Sequence, residues 1–320
     1  MNRLDYSDLS KGFGREKALG GFYSHISGNK RKSIFLVLVF ILLITALGWL
    51  IGEAWMGEGL GFLGIFGVVA IVYSLVAFYA GDRMVLAASK AKQIKKADDP
   101  ELWNIIEELC LAGGLPIPGI YLINDTAPNA FATGRDPKHG VVAITTGLRE
   151  KLSRDELQGV MAHELSHIRF FDIRLQTLIG VMVGLTALIS DIFLHSLWWG
   201  GGRGRRRSSN SKGGFEVILL VLAIVMAILA PLFARLLQLS ISRKREYLAD
   251  AGAVALTRYP EGLAGALRKI SGDTEVLEVA NRATQHLYIV NPIKPFEDRA
   301  KNLLSTHPPI NERISRLQSM

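Results

Sequence analysis

The sequence predicts a mainly α-helical membrane protein, with an extramembrane region in which helices accompany a small antiparallel β-sheet. Its 320 residues are 49% hydrophobic and only 21% charged, with a mean hydropathy of +0.25. This composition excludes a disordered or fibrous chain and fits poorly with a purely soluble one. Four long apolar segments and a series of short β-rich pieces complete the basis for this prediction.

Two apolar segments, residues 33–52 and 60–81, contain no charged side chain. Each is long enough to cross a hydrocarbon core of about 30 Å, which takes about 20 helical residues. Two more segments, residues 177–199 and 217–234, are interrupted by a few polar residues or a proline. We expect these to span as well, which gives about four transmembrane helices.

Basic residues near the first apolar segment set the orientation. Residues 1–32 hold seven Lys or Arg against three acids, whereas the loop before the second segment holds only Glu53 and Glu58. By the positive-inside rule, the N-terminus is cytoplasmic and this short loop is outside. The chain after Arg83 therefore returns to the cytoplasm, and we expect a multi-pass protein of the cell (inner) membrane.

The loop between the third and fourth apolar segments, residues 200–214, carries five Lys or Arg and no acid. If both segments span, this loop lies outside, against the positive-inside rule. The alternative is a hairpin that enters the membrane without crossing it, with the loop against lipid headgroups. A Gly, Ser and Arg-rich stretch between two apolar arms is more simply a solvated linker than a nucleic-acid site, so no nucleic-acid partner is predicted.

An amphipathic helix is predicted after Asp99, which serves as its N-cap, with Pro100 in the first turn. Apolar residues recur at helical spacing until two glycines, Gly113 and Gly114, end the pattern. The single cysteine, Cys110, cannot form an internal disulfide and lies on the apolar side of this helix. We therefore predict that it serves packing.

Three short pieces, residues 119–123, 130–133 and 141–145, are β-rich and separated by turn residues. They predict a small antiparallel meander with an available edge. After them, Ser153 with a glutamate three residues on forms a capping-box signature. This signature predicts a helix over residues 154–167.

The predicted helix carries the sequence HELSH at residues 163–167. His163 and His167 lie one turn apart on one face, so both can bind a single Zn²⁺. Zinc lowers the pKa of a bound water toward about 7, and Glu164 can take a proton from that water. Two histidines on a solvated helix face are the structural alternative.

A catalytic zinc needs a third protein ligand. His167 precedes the third apolar segment by ten residues, roughly 15 Å if one continuous helix joins them. On the helix that leaves the fourth segment, Glu246 stands twelve residues out, roughly 18 Å on the same basis. Glu246 is therefore the predicted third ligand, and Asp250, one turn later, is placed to orient a zinc-bound imidazole.

Four motifs together resemble those of the HtpX-type membrane zinc metalloproteases, gluzincins related to the CAAX prenyl endopeptidases. The motifs are HELSH, SRKREYLAD at residues 242–250, PNAFATG at 128–134 and STHPPINERI at 305–314. The resemblance implies a zincin-like catalytic region with one Zn²⁺ per chain. It also implies quality control by proteolysis of misfolded or damaged membrane proteins on the cytoplasmic side of the membrane.

The resemblance assigns roles residue by residue to the metal site: the zinc ligands His163, His167 and Glu246, the general base Glu164, and the supporting carboxylate Asp250. Asn129 and Ala130 match the edge strand that pairs with the substrate backbone, a mode of binding with little dependence on peptide sequence. His307 and Arg313 resemble the pair near the scissile carbonyl, where a cationic donor stabilises the developing oxyanion.

These predictions divide the chain into five parts. Residues 1–32 form a basic cytoplasmic segment and 33–81 a transmembrane hairpin. The catalytic region comprises residues 82–176 and 235–320, separated by a second apolar hairpin at 177–234. No role is predicted for the basic N-terminal segment, and no oligomeric state.

Three other functions fit parts of the sequence. An intramembrane protease is disfavoured because charged residues flank HELSH on both sides. A divalent-metal transporter would place its ligands near the bilayer midplane, where three of the four apolar segments have no ionisable side chain except tyrosine. A membrane scaffold that binds unfolded clients without cutting them fits the same motifs, but predicts that client binding survives Glu164→Ala.

Overall fold

The structure, a computed structural model, describes residues 15–184, 243–273, 275, 277–278, 284, 287–289 and 308–320. Its helices are α1 (Arg15–Met56), α2 (Gly59–Ala88), α3 (Pro100–Gly113), α4 (Thr146–Lys151), α5 (Arg154–Arg169), α6 (Arg243–Thr257), α7 (Pro260–Gly272) and α8 (Ile310–Gln318). Its strands are β1 (Lys92–Gln93), β2 (Gly119–Ile123), β3 (Ala130–Gly134) and β4 (Gly140–Thr145). Residues 172–184 are also helical. The prediction of a mainly helical protein with a small sheet is confirmed.

The first two predicted apolar segments lie in α1 and α2, which pack against each other along a helical hairpin. The chain reverses at Gly57, whose φ of 68° favours glycine. Large apolar side chains point outward from both helices, including Leu42 at 68% and Leu60 at 80% exposure. Among the described helices, α2 is long and apolar enough to cross a membrane.

The third apolar segment lies only partly within the described residues, and the fourth, with the basic loop at 200–214, lies outside them. The prediction of about four spans therefore stays a prediction. The predicted boundary at residue 32 falls inside α1, which is helical on both sides of it.

The helix α3 begins and ends as predicted. The Asp99 carboxylate accepts a hydrogen bond from the Leu102 N–H at 3.0 Å, and the helix stops at Gly114, whose φ is 63°. Arg149 of α4 donates to the same carboxylate at 2.7 Å, which ties the two helices together. Cys110 is buried on the apolar face of α3, in agreement with its predicted packing role.

The sheet has the strand order β1-β2-β4-β3 and is mixed. The outer pairs β1–β2 and β3–β4 are antiparallel, but the central pair β2–β4 is parallel. The predicted all-antiparallel meander is therefore wrong. β4 inserts between β2 and β3, so the strand next in sequence to β2 becomes the edge of the sheet.

The helix α5 packs beside the sheet and begins with the predicted capping box of Ser153 and Glu156. It packs against β3 and β4 on one side and against α3, α6 and α7 on the others. Its apolar residues are fully buried, and each large one contributes about 1.5–3 kcal/mol. Gly159 allows α7 to approach closely, because a Cβ atom there would lie 2.5 Å from the Leu263 nitrogen.

The helix is interrupted between α5 and the helical residues 172–184. The prediction that one continuous helix joins His167 to the third apolar segment is therefore wrong. The Phe170 N–H bonds to the Ser166 carbonyl, and Phe171 then adopts a φ of 60°, in the left-handed region. This conformation costs a non-glycine residue about 1–2 kcal/mol. Contacts at the turn offset that cost, including the Lys30 ammonium 4.4 Å above the Phe171 ring.

The C-terminal helices complete the layer behind α5. α6 and α7 both contact α5, and α8 packs against α6 and α7. α8 buries two residues of its inner face, Arg313 and Leu317. A charged side chain from the last helix therefore reaches the interior of the molecule.

Candidate metal centre

His163 and His167 bring their Nε2 atoms together on the inner face of α5. The two nitrogens lie 3.2 Å apart, and both side chains are buried, with 1% and 5% exposure. This proximity follows from helix geometry, because residues four apart lie one above the other on one face. The two imidazoles therefore point at one common position.

Glu246 of α6 completes the cluster from the opposite side. Its Oε2 lies 3.8 Å from His163 Nε2 and its Oε1 lies 3.7 Å from His167 Nε2. The ligand atoms of the three residues all lie within 4.8 Å of one another. Two imidazole nitrogens and one carboxylate suit a tetrahedral divalent metal with one position left for water or substrate.

A separate carboxylate contacts the other nitrogen of each histidine. Asp250 Oδ1 lies 2.9 Å from His163 Nδ1, and Asp172 Oδ2 lies 3.0 Å from His167 Nδ1. A carboxylate at Nδ1 selects the tautomer that carries its proton there and leaves Nε2 free to bind a metal. The donor set and its supporting carboxylates thus both fit a bound metal ion.

Asp172 is the residue of this site that the sequence reasoning missed. It lies five positions after His167, and on a continuous helix that spacing would place it on a different face. The break at Phe171 turns the chain so that the Asp172 carboxylate returns to the imidazole. A helix break without glycine or proline has no clear sequence signal. The sequence therefore contained no indication that Asp172 returns to His167.

Burial and neighbouring charges shift the pKa values of the two histidines in opposite directions. Burial lowers the pKa of His163 to about 4, so this imidazole is neutral at neutral pH. Burial also acts to lower the pKa of His167, but the hydrogen bond to Asp172 and the charge of Glu246 outweigh it and raise the pKa to about 9. Since a metal binds the neutral imidazole, binding at His167 displaces a proton.

Glu164 is buried beside the cluster, with 2% exposure. Burial raises its pKa to about 7, with a further contribution from the negative charge of Glu246. The Ala132 N–H of β3 donates a hydrogen bond to its carboxylate, which places Glu164 between the candidate metal ligands and the edge strand. A carboxyl group with a pKa near neutrality can both accept and release a proton.

The family assignment comes from comparison with known proteins. A family model described as "Peptidase family M48" matches residues 96–320. The Protease HtpX homolog of Ligilactobacillus salivarius is 43% identical over 298 residues, covering 93% of this chain and 99% of that protein. The chain belongs to peptidase family M48. Its relatives in this family include a second HtpX homolog, from Dictyoglomus thermophilum, at 45% identity over 93% of this chain and 95% of that protein.

As an M48 peptidase with HtpX relatives over nearly its whole length, the chain is a metalloprotease, and the predicted resemblance is confirmed. Within the part of the chain that the structure describes, His163, His167 and Glu246 form the group able to hold a metal ion. The match to the crystal structure of S. mikatae Ste24p covers 97% of this chain and 71% of the Ste24p chain, at 20% sequence identity and a TM-score of 0.47. The assignment rests on the M48 model and the HtpX relatives.

The predicted substrate strand of this M48 peptidase lies at the edge of the sheet. β3 begins at Ala130 and pairs only with β4 among the described strands. The Ala130 carbonyl accepts a hydrogen bond from the Ile289 N–H at 2.9 Å, and its own N–H donates to Asn129 Oδ1 at 3.1 Å. A peptide that pairs at Ala130 must therefore replace the contact with Ile289.

Of the two residues predicted to lie near the scissile carbonyl, only Arg313 is among the described residues, and His307 lies outside them. Arg313 is fully buried and donates to Asp250 through Nε at 3.0 Å and Nη2 at 2.7 Å. Its Nη1 lies 3.5 Å from Glu246 Oε2. The guanidinium thus contacts the residues that surround the candidate metal site, and its role toward the substrate carbonyl stays a prediction.

Proposed function

We propose that this chain is a membrane-anchored zinc endopeptidase that cleaves misfolded or damaged membrane proteins at the cytoplasmic face. The observation that carries the proposal is the convergence of His163, His167 and Glu246 on one position, with the buried Glu164 beside them. Two histidines and a glutamate favour zinc over harder divalent ions, which prefer all-oxygen sites.

The membrane part of the proposal rests on the apolar helices and on charge. α2 meets the length and hydropathy needed to cross a membrane, and α1 packs along it with outward-facing apolar side chains. Basic residues precede the apolar part of α1, which by the positive-inside rule places that end in the cytoplasm. We propose that residues 177–199 and 217–234 add a second hairpin, in a multi-pass cell (inner) membrane protein.

Substrate binding is proposed along the side of β3 that does not pair with β4, where a substrate would replace the contact between Ala130 and Ile289. An extended segment of an unfolded protein adds there as a further strand, bonded through its backbone and hence with little sequence preference. Ala130 begins this strand and Asn129 directly precedes it. Such binding suits a protease whose substrates share unfolding rather than a sequence motif.

The chemistry follows from the positions of the side chains. When bound, zinc supplies a Lewis acid that activates water and polarises the scissile carbonyl. Glu164 accepts a proton from the attacking water and later delivers it to the leaving amine, which its pKa of about 7 suits. Asp250 and Asp172 hold the two imidazoles in orientation, and Arg313 holds Asp250.

The test is cleavage of an unfolded protein by the full chain in detergent, with zinc present, beside Glu164→Gln. We expect the wild type to cut and the variant to lose about 10²–10⁴-fold in rate while still binding about one zinc per chain. Equal cleavage by both would contradict the proposed base. If neither protein cuts although both bind zinc and the unfolded protein, the chain is a scaffold rather than a protease.

A further inference from the structure

Asn29 of α1 reaches the turn that follows the metal-site helix. Its side chain is buried, with 4% exposure, although it lies in the basic stretch just before the apolar part of α1. Its amide nitrogen donates to Asp172 Oδ1 at 2.6 Å and to the Phe170 carbonyl at 3.2 Å. Both contacts join the start of the membrane hairpin to residues more than a hundred positions later in the chain.

The two oxygens of Asp172 have different partners. Oδ2 contacts His167 Nδ1 at 3.0 Å, and Oδ1 receives the hydrogen bond from Asn29. Arg245 approaches Oδ1 only to 3.6 Å through its Nε. In the described part of the chain, the two terminal nitrogens of Arg245 make no hydrogen bond. Asn29 is therefore the neutral donor that fixes the plane of this carboxylate.

We propose that Asn29 is a positioning residue for the metal centre, acting through Asp172 on His167. This inference rests on the proposed function, because it takes His167 to be a zinc ligand. The amide of Asn29 sets the orientation of the Asp172 carboxylate, and that carboxylate sets the direction in which His167 Nε2 points. The first helix of the hairpin thereby contributes to metal binding without touching the metal.

The physical basis is that a hydrogen bond to a buried carboxylate is short, directional and costly to lose. Without the Asn29 amide, Asp172 Oδ1 has no donor within normal hydrogen-bond distance among the described residues. The carboxylate is then free to rotate toward Arg245, which weakens its hold on His167. Groups that orient a ligand in this way typically change metal affinity by about 10–100-fold when lost.

The experiment measures zinc affinity by competition with a chromogenic chelator, using the full chain in detergent. All proteins carry Glu164→Gln to prevent self-cleavage. We expect Asn29→Ala to weaken zinc binding by about tenfold. The matched control is Tyr73→Phe, which removes a partly buried hydrogen bond from the same hairpin to residues 172–184, the one from Tyr73 Oη to the Val181 carbonyl at 3.0 Å. This control is expected to leave zinc affinity unchanged.

A double variant separates an effect through Asp172 from a general loss of packing. In an Asp172→Asn background, Asn29→Ala is expected to change zinc affinity less than twofold, because its partner is already altered. A full additional tenfold loss there would overturn the inference. The inference would also be overturned if the Asn29→Ala variant bound zinc as tightly as the parent protein with Asn29.

An exchange of the two side chains keeps the test decisive if Asn29→Ala does not fold. Asn29→Asp with Asp172→Asn retains a donor and an acceptor at this contact and an oxygen facing His167. We expect the exchange to bind zinc more tightly than Asp172→Asn alone, and no improvement would overturn the inference. A parent protein that binds no zinc overturns the proposed function itself, whereas normal zinc binding that is insensitive to Asn29 overturns only this inference.

Discussion

Arg313 and Asp250 form a bidentate ion pair in the interior of the protein, on the Nδ1 side of His163. The guanidinium is 0% exposed, and both of its hydrogen bonds to the carboxylate are 3.0 Å or shorter. Asp250 in turn contacts His163 Nδ1 at 2.9 Å. The last helix of the chain thus supports the first histidine of the metal centre through one intermediate carboxylate.

Arg313→Ala is expected to lower the free energy of unfolding by about 3–5 kcal/mol, because it leaves the Asp250 carboxylate buried without its partner. Chemical denaturation of the metal-free protein in detergent measures this. Arg268→Ala on α7 removes a half-exposed arginine that pairs with Glu261, and should change stability little. Similar effects of the two substitutions would contradict the importance of the buried pair.

Asp250→Asn keeps the shape of the side chain but removes the charge behind His163. We expect zinc affinity to fall by about 10–100-fold, measured by chelator competition. The matched control is Asp136→Asn, since Asp136 also contacts a histidine, His139, at 2.7 Å, but at an exposed site away from the metal centre. Unchanged affinity in Asp250→Asn would show that this carboxylate does not orient the ligand.

Gly159→Ala is expected to destabilise the protein by about 1–3 kcal/mol, because the added methyl group would meet the backbone of α7. Gly272→Ala at the end of α7 is the control, since a Cβ there meets no atom within 4 Å. Thermal unfolding compares the two variants with the wild type. Equal melting temperatures for all three proteins would disprove the close helix contact.

Cys110 should resist thiol reagents in the native protein. Burial raises its pKa to about 12, so the reactive thiolate is scarce at neutral and mildly alkaline pH. Labelling with a thiol reagent should therefore be slow, should rise about tenfold per pH unit without reaching a plateau between about pH 7 and 9, and should become rapid once the protein is unfolded. Rapid labelling of the native protein at pH 8 would contradict this environment.

Local signals in the sequence predicted much of the extramembrane fold. The N-cap at Asp99 and the capping box at Ser153 each involve neighbouring residues, so the starts of α3 and α5 follow from short stretches of chain. The spacing of His163 and His167 fixes their common face for the same reason. The spacing argument and the family resemblance both named Glu246 and Asp250, although the continuous helix assumed in the spacing argument is interrupted at Phe171.

Features that depend on distant parts of the chain were missed. β2 pairs with β4 in parallel. The alternation of apolar residues within a strand does not indicate which other strand it pairs with, or in which direction. The left-handed Phe171 is stabilised by contacts with α1, so nothing within its own segment predicted the break or the role of Asp172. Asn29 is a single polar residue in a basic stretch, and only its tertiary contacts distinguish it.

The order in which the chain is synthesised has a bearing on its activity. Translation makes His163 and His167 first, and Glu246 follows only after residues 168–245. Because N-terminal parts of a protein fold first during synthesis, a nascent chain holds two of the three candidate ligands for much of its time on the ribosome. Synthesis order alone thus delays completion of the candidate metal site until Glu246 has been made.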